Sequence, residues 1–347
     1  MIKEITSEKN EEWNSIVRSF SDYDVFYLNE YVCAFMQEDE KNGEPILLYY
    51  ENGNDRAINV VFKRDVSKDE KFSGKITDNT YFDLVSPYGY GGFLGEVEDY
   101  ELLNSAYNDF CHSQHYICEF VRFELFGEYY ANYDGEVETR THNVVRNLEL
   151  SVDELWMDFK QKVRKNVKKA NSYNLEIVIE NTDEHLDDFL KIYYSTMDRS
   201  SAENEYYFSK DFFSTINSMK DNIMYFHVIH EDKVISTELV IYGAENCYSY
   251  LGGTDREYFD LRPNDFLKYE IIKWAKEKGL KNFVLGGGYG ADDGIFQYKT
   301  CLAPHGIVDF YIGRKVFDLN NYNMLVELRS KENPSCIETK YFPKYRA

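Results

Sequence analysis

Residues 263–288, PNDFLKYEIIKWAKEKGLKNFVLGGG, constrain the fold more than any other stretch of the chain. Phe266, Leu267, Ile271 and Trp274 recur at helical spacing, with Asn264 or Asp265 available to cap the start and Gly279 to end it. The apolar run NFVL follows at once and ends in glycines. A helix that feeds a buried strand within a few residues is a unit of α/β structure.

The same alternation runs through the rest of the chain. EEWNSIVRSF is helical by spacing, and PILLYYENGNDRAINVVFKR reads as strand, turn at Gly53, strand. Residues 100–118 read as a helix and CEFVRFELF as a buried strand. SVDELWMDFKQKVRKNVKKA reads as one new helix, opened by a capping box of Ser151 and Glu154. LEIVIE is a strand, DEHLDDFLKIYYSTMDR a helix, and residues 224–253 a three-strand meander turning at EDK and GAEN. The two halves share this order. The expectation is α/β (α+β): two similar domains, 1–150 and 151–314, each with a mainly antiparallel twisted sheet flanked by helices. Residues 315–347 are expected to pack back on the first domain.

Composition narrows the function. With 43% hydrophobic residues, including 31 Tyr and 24 Phe, a packed core is expected and disorder is not. Lys and Arg total 39 against 61 Asp and Glu, a formal charge of −22 that repels nucleic acid and anionic membrane except at a local basic patch. The exception is residues 160–169, KQKVRKNVKK, with six basic residues. The six cysteines form no CxxC pair, the first residues lack a signal-peptide apolar run, and no window approaches the length of a membrane span. A cytoplasmic protein with free thiols is expected. In CHSQHYIC, Cys111, His115 and Cys118 could share a helical face, but a partly buried face with incidental histidine is the simpler account, and no metal is expected.

Four glycines fall within residues 286–290 of LGGGYGADDGIFQYK. No GxxxxGK[ST] loop is present, and Gly286, Gly288 and Ala291 fit a dinucleotide fingerprint loosely. The residues that follow, DDGIFQYK, do not read as the apolar helix whose dipole would face a phosphate. What remains is a strand ending where backbone can approach a ligand closely.

LGGGYGADDGIFQYKTCLAPHG resembles the strand–glycine–aromatic–lysine segment of FemABX-like proteins in the GNAT acyltransferase superfamily. YLGGTDREYFDLRPNDFLKYEIIKWAKEKGLKNFVLGGG, VRKNVKKANSYNLEIVI and YYSTMDRSSAENEYYFSKDFF are similar to further segments of that family in the same order, and SPYGYGG (86–92) recurs in relatives linked to cell walls and surface polysaccharides. The matches span about half the chain. The resemblance implies two GNAT-like domains facing across a cleft. It also implies N-acyl transfer to an amine of a cell-wall or surface-polysaccharide precursor.

Such transfer needs alignment, oxyanion stabilisation and proton removal, and no protein nucleophile. Lys299 is the first candidate for the catalytic role, its ammonium meeting an oxyanion or a phosphate, with Asp292 and Tyr298 beside it. Arg199 suits a phosphate or carboxylate, Tyr88 and Tyr90 a sugar or peptide, and Gly287, Gly288 and Arg164 complete the expected substrate contacts. The co-substrate is acyl-CoA or aminoacyl-tRNA. The place of a CoA-binding glycine loop reads DLRPNDFL, so pyrophosphate is left with Asn264 and Asp265 at the helix start. A tRNA would meet the basic helix at 160–169. The bulk charge favours the smaller donor, and a non-catalytic binding protein of the same fold is the alternative from another class.

Overall fold

A computed structural model describes residues 1–38, 43–288 and 293–347. The chain divides into two units, residues 1–140 with 310–347, and residues 141–309.

The first unit opens with β1 (Ile2–Thr6), α1 (Asn10–Val17) and α2 (Asn29–Glu38). The hairpin of β2 (Glu44–Asn52) and β3 (Asp55–Asp65) follows, with Gly53 at φ +63° in the turn. Then come β4 (Phe82–Val85), β5 (Leu94–Glu96), α3 (Tyr100–Ser113), β6 (Tyr116–Arg122) and the short α4 (Tyr129–Asn132). The sheet runs β1-β2-β3-β4-β6, antiparallel except for the parallel pair β4 and β6, with β5 also on β3. Leu103, Tyr107 and Cys111 of α3 pack on Ile46, Leu48 and Tyr50 of β2 in one core cluster. Glu119 is buried there and accepts bonds from Tyr107 (2.6 Å) and Tyr133 (2.9 Å). Helix α3 stops at Ser113, short of the expected 118, because His115 adopts a left-handed turn (φ 58°) that starts β6. Cys111 thus lies on a helix, His115 in a turn and Cys118 on a strand, so they share no helical face.

The second unit begins within β7 (Glu136–Asn147) and continues through α5 (Val152–Asp158), α6 (Gln161–Asn171), β8 (Glu176–Glu180), α7 (Leu186–Ser200) and α8 (Lys210–Asn217). The meander β9 (Ile223–His230), β10 (Lys233–Tyr242) and β11 (Asn246–Thr254) leads to α9 (Pro263–Glu277), β12 (Asn282–Gly286), α10 (Gly294–Leu302) and the start of β13 (Ile307–Val316). Strand order is β7-β12-β11-β10-β9-β8, with β11 and β12 parallel and the other pairs antiparallel. The chain returns to the first unit, where residues 312–316 pair with β6 and α11 (Leu319–Ser330) follows.

The capping box of Ser151 and Glu154 forms, but the helix it opens breaks after Asp158. Phe159 leaves the helical conformation (ψ 140°) and buries its ring, and a second helix starts at Gln161. The opposite correction applies after the glycines, where Gly294–Leu302 is a helix, so Lys299 is helical. Among the described residues no helix is long and apolar enough to cross a membrane.

Candidate functional site

The sheet of the second unit carries different chemistry on its two faces, because neighbouring strand residues point to opposite sides. Thr237 and Gly253 lie opposite each other in register, and a Cβ on Gly253 would meet Thr196 of α7, so that face belongs to α7. Glu238 and Gly252, one residue along, face the other way, towards α9. Glu238 is buried and takes a bond from Lys268 of α9 (2.6 Å), which also donates to Ser249 of β11 (2.5 Å). A charged pair inside an apolar face is costly to build, so it marks this side as specialised.

Beyond the pair, β12 ends at Gly286 with φ +83°, a conformation that suits glycine. A Cβ there would sit 3.2 Å from the Lys299 amine. One on Gly287 would lie 2.9 Å from the carbonyl oxygen of His142, and one on Gly288 2.5 Å from the Asp293 carboxylate. Asp292 lies outside the described residues. Asp293 caps α10 by accepting from the backbone of Ile295 (3.0 Å).

From α10, half-buried Lys299 donates to the carbonyl of Gly287 (2.6 Å). Burial brings its pKa down to about 8, the Lys268 ammonium pushes in the same direction, and Glu238 and Asp293 partly offset both. The Tyr298 hydroxyl is buried beside it; burial, then the charges of Asp265 and Glu238, hold it well above its ordinary range.

Helix α9 starts at Pro263, and its N-cap is Arg262 in a left-handed conformation, without a side-chain cap from Asn264 or Asp265. Asp265 is buried in the first turn, accepts from Asn166 of α6 (3.0 Å), and is raised by burial against the pull of Asn166, Arg262 and Lys162. A carboxylate in that turn opposes a pyrophosphate there.

Helix α6 packs on α9 and on α10, the helix that bears Lys299. Lys160 at its N-cap and Lys162, Lys165, Lys168 and Lys169 are exposed, and none forms an ion pair among the described residues. Arg164 differs: it donates to the carbonyls of Met157 (2.7 Å) and Phe159 (2.5 Å) and closes the end of α5.

Arg199 lies on α7, the other face from Lys268; it is exposed, with its guanidinium 5.2 Å from the Phe259 ring centroid. The structure does not bring it to Lys299. Tyr88 and Tyr90 belong to the first unit. Tyr88 is 45% exposed and stacks on Phe35 (5.4 Å), whereas Tyr90 is buried against Phe26 and Phe310. Glu238, Lys268, Ser249 and Asn166 are the members that sequence analysis missed. Their signal was present as a lone acid in STELVIY and a lone lysine within FLKYEII, charges where the periodicity demands apolar side chains.

Residues 157–300 match the family model of the acetyltransferase (GNAT) domain. A curated relative, lipid II:glycine glycyltransferase of Staphylococcus haemolyticus (strain JCSC1435), is 25% identical over 108 residues, which is 30% of this chain and 26% of that protein. The matched stretch therefore spans about a quarter of the relative's length. Among solved structures, FemX superposes with TM-score 0.70 at 14% identity, covering 93% of this chain and 99% of FemX. The C-terminal domain of a putative lysylphosphatidylglycerol synthetase from Agrobacterium fabrum gives 0.53 at 11% identity, covering 91% and 92%. Residues 157–300 thus carry a GNAT acyltransferase domain, and the chain shares the fold of FemX.

Proposed function

We propose that this chain transfers an aminoacyl group from tRNA to an amine of a peptidoglycan precursor. The carrying observation is that α6 and its N-cap, with five exposed lysines that form no ion pair among the described residues, pack on the helix that holds Lys299 over the glycine floor. A backbone phosphate chain fits such a face, and a carboxyl group esterified to its end can reach the adjacent lysine. The bulk charge that favoured acyl-CoA weighs less than this local field, and Asp265 supplies repulsion where pyrophosphate would sit. The match to a lipid II:glycine glycyltransferase supports the acceptor class.

In this reaction the acceptor amine attacks the ester carbonyl, the bond to the tRNA oxygen breaks, and the amine proton ends on that oxygen. Lys299 leaves the Gly287 carbonyl and gives its hydrogen bond to the oxyanion. Gly286, Gly287 and Gly288 keep side chains from between the floor and the reacting carbonyl.

The test supplies lipid II with a panel of labelled aminoacyl-tRNAs and, separately, acetyl-CoA. Transfer from at least one aminoacyl-tRNA is expected, with none from acetyl-CoA. Replacing Lys162, Lys165, Lys168 and Lys169 together by Gln should flatten the salt dependence of tRNA binding by roughly 3 in log–log slope. Acetyl transfer with no tRNA binding would establish the small-donor reaction instead, and absence of both would leave a binding protein.

A further inference from the structure

The α7 face of the second unit's sheet carries a group of side chains that acyl transfer does not use. Glu180 ends β8, His185 stands at the N-cap of α7, and His227 lies at the middle of β9. Their ligand atoms all fall within 4.8 Å of one another. Nδ1 of His185 is 3.1 Å from one carboxylate oxygen of Glu180, and Nε2 of His227 is 3.5 Å from the other. We propose that Glu180, His185 and His227 form a binding site for a divalent transition-metal ion of the zinc type.

Three features of the site go beyond proximity. His227 has no exposed surface, and its Nε2 has no hydrogen-bond partner among the described residues, a cost that a bound cation would remove. Its other nitrogen, Nδ1, is 2.8 Å from the hydroxyl of Thr237 on the neighbouring strand. If Nδ1–H donates to that hydroxyl, Nε2 presents its lone pair to Glu180 and His185, the arrangement that outer partners impose on metal-binding histidines. The ring is also held flat against Tyr225, with centroids 5.9 Å apart and planes 6° apart.

The chemistry of the set selects the ion. Two imidazoles and one carboxylate suit zinc and its first-row neighbours, whereas calcium and magnesium prefer oxygen ligands alone. Ligand atoms about 3.3 Å apart surround a tetrahedral zinc with bonds of about 2.0–2.1 Å; the two histidine–carboxylate distances of 3.1 and 3.5 Å bracket that value, and the remaining separations, within 4.8 Å, close on the ion by up to about 1.5 Å. The carboxylate supplies the one negative charge. His185 keeps 24% of its side chain exposed, which leaves an entry path and an open fourth position. Thr237 and Glu238 point to opposite faces, so this site and the Lys299 site are separated by the sheet. The ion's role is to tie β8, β9 and the start of α7 together.

The experiment uses the untagged full chain, stripped with chelator and dialysed, then titrated with zinc alone in a calorimeter and, in parallel, with cobalt(II) read by its visible absorption. One zinc per chain is expected, with a tetrahedral-type cobalt band and a Tm rise of roughly 5–10 °C at zinc about a hundredfold above Kd. His227 is fully buried and its replacement risks the fold, so the decisive variants are His185→Gln and Glu180→Gln, which should each weaken zinc binding at least tenfold while the apo Tm stays near wild type. The six cysteines are present in every variant, so thiol binding cancels from the comparison. Equal zinc affinity in wild type and His185→Gln, or no stoichiometric binding by the wild type, overturns the site.

Discussion

Lys299 sits where two opposite demands meet. Its amine must be charged to hold an oxyanion, yet burial and Lys268 bring its pKa down to about 8. Transfer that depends on the ammonium should therefore decline as pH rises through about 8, and Lys299→Met should lose roughly a hundred- to thousandfold in kcat with tRNA binding intact. A rate that climbs through pH 8 would show that Lys299 works as a base instead. The folded state holds this proton less tightly than the unfolded chain, so between about 8 and the ordinary lysine range near 10.4 the unfolded chain binds more protons and stability rises with pH. Lys299→Met should remove that rise, which melting curves at pH 7.5 and 10 would show. Its neighbour Gly288 has less freedom: a methyl group there meets the Asp293 carboxylate at 2.5 Å and Phe296 at 2.8 Å. Gly288→Ala should cost about 1–3 kcal/mol and reduce transfer, and unchanged urea unfolding and rate together would contradict the tight floor. Lys299 and the glycines were legible because both stand in one short motif. The meeting of Glu238 and Ser249 with Lys268 was not, since it depends on register between strands and a helix far along the chain, although the lone charges themselves stand out in the sequence.

Elements were more legible in kind than in their ends. The stripe of α9 and the capping box of α5 both follow from local spacing, and both form. The break between α5 and α6 escaped because WMDFKQKV continues a helical pattern; burial of Phe159 outweighs that preference. Helix α10 escaped because its start, Asp293–Gly294, looks like a turn, although an aspartate cap is an equally good use of that pair. Arg164 shows the consequence for function. Read on one continuous helix it is a free cation for a substrate, but at the break it bonds two backbone carbonyls. Arg164→Ala should lower stability by about 1.5–3 kcal/mol, the range for charge-assisted bonds, and Lys165→Ala by less than about 0.5 kcal/mol. Denaturant unfolding of the two variants decides it, and equal small effects would return Arg164 to the substrate.

At the scale of the whole molecule, the acidic balance hides how unevenly charge is used. A chain of net charge −22 leaves the five lysines of α6 and its N-cap without an ion pair among the described residues, while it places arginines in its interior. Asp83 of β4 is the clearest case. It is fully buried and takes bonds from Arg64 (2.6 Å), Tyr345 (2.8 Å) and Arg346 (2.6 Å), the last two from the end of the chain. No periodicity in residues 340–347 announces this, because the tail acts through single side chains that join positions more than 260 residues apart. Burial alone would raise the Asp83 carboxyl, but Arg64 and Arg346, with the hydroxyl of Tyr345, hold it below its ordinary value. A carboxylate lowered in this way stabilises the fold at pH above its unfolded value near 3.9, and that contribution is lost as pH falls through the lower folded value. Asp83→Asn leaves two arginines in the interior without their shared counter-charge, which should cost about 3–5 kcal/mol. Asp69 still pairs with Arg346 at 3.2 Å, so the lower end of that range is expected. Urea unfolding at pH 7 measures the loss, and repeating it at pH 3 should show the gap between wild type and variant narrowing, because below about 3.9 the unfolded wild-type chain takes up a proton at Asp83 more readily than the folded one. A gap below about 1 kcal/mol at pH 7 would mean that the tail is held mainly by the rings of Tyr322, Phe342 and Tyr345 and by its other polar contacts, such as Arg346 with Asp69.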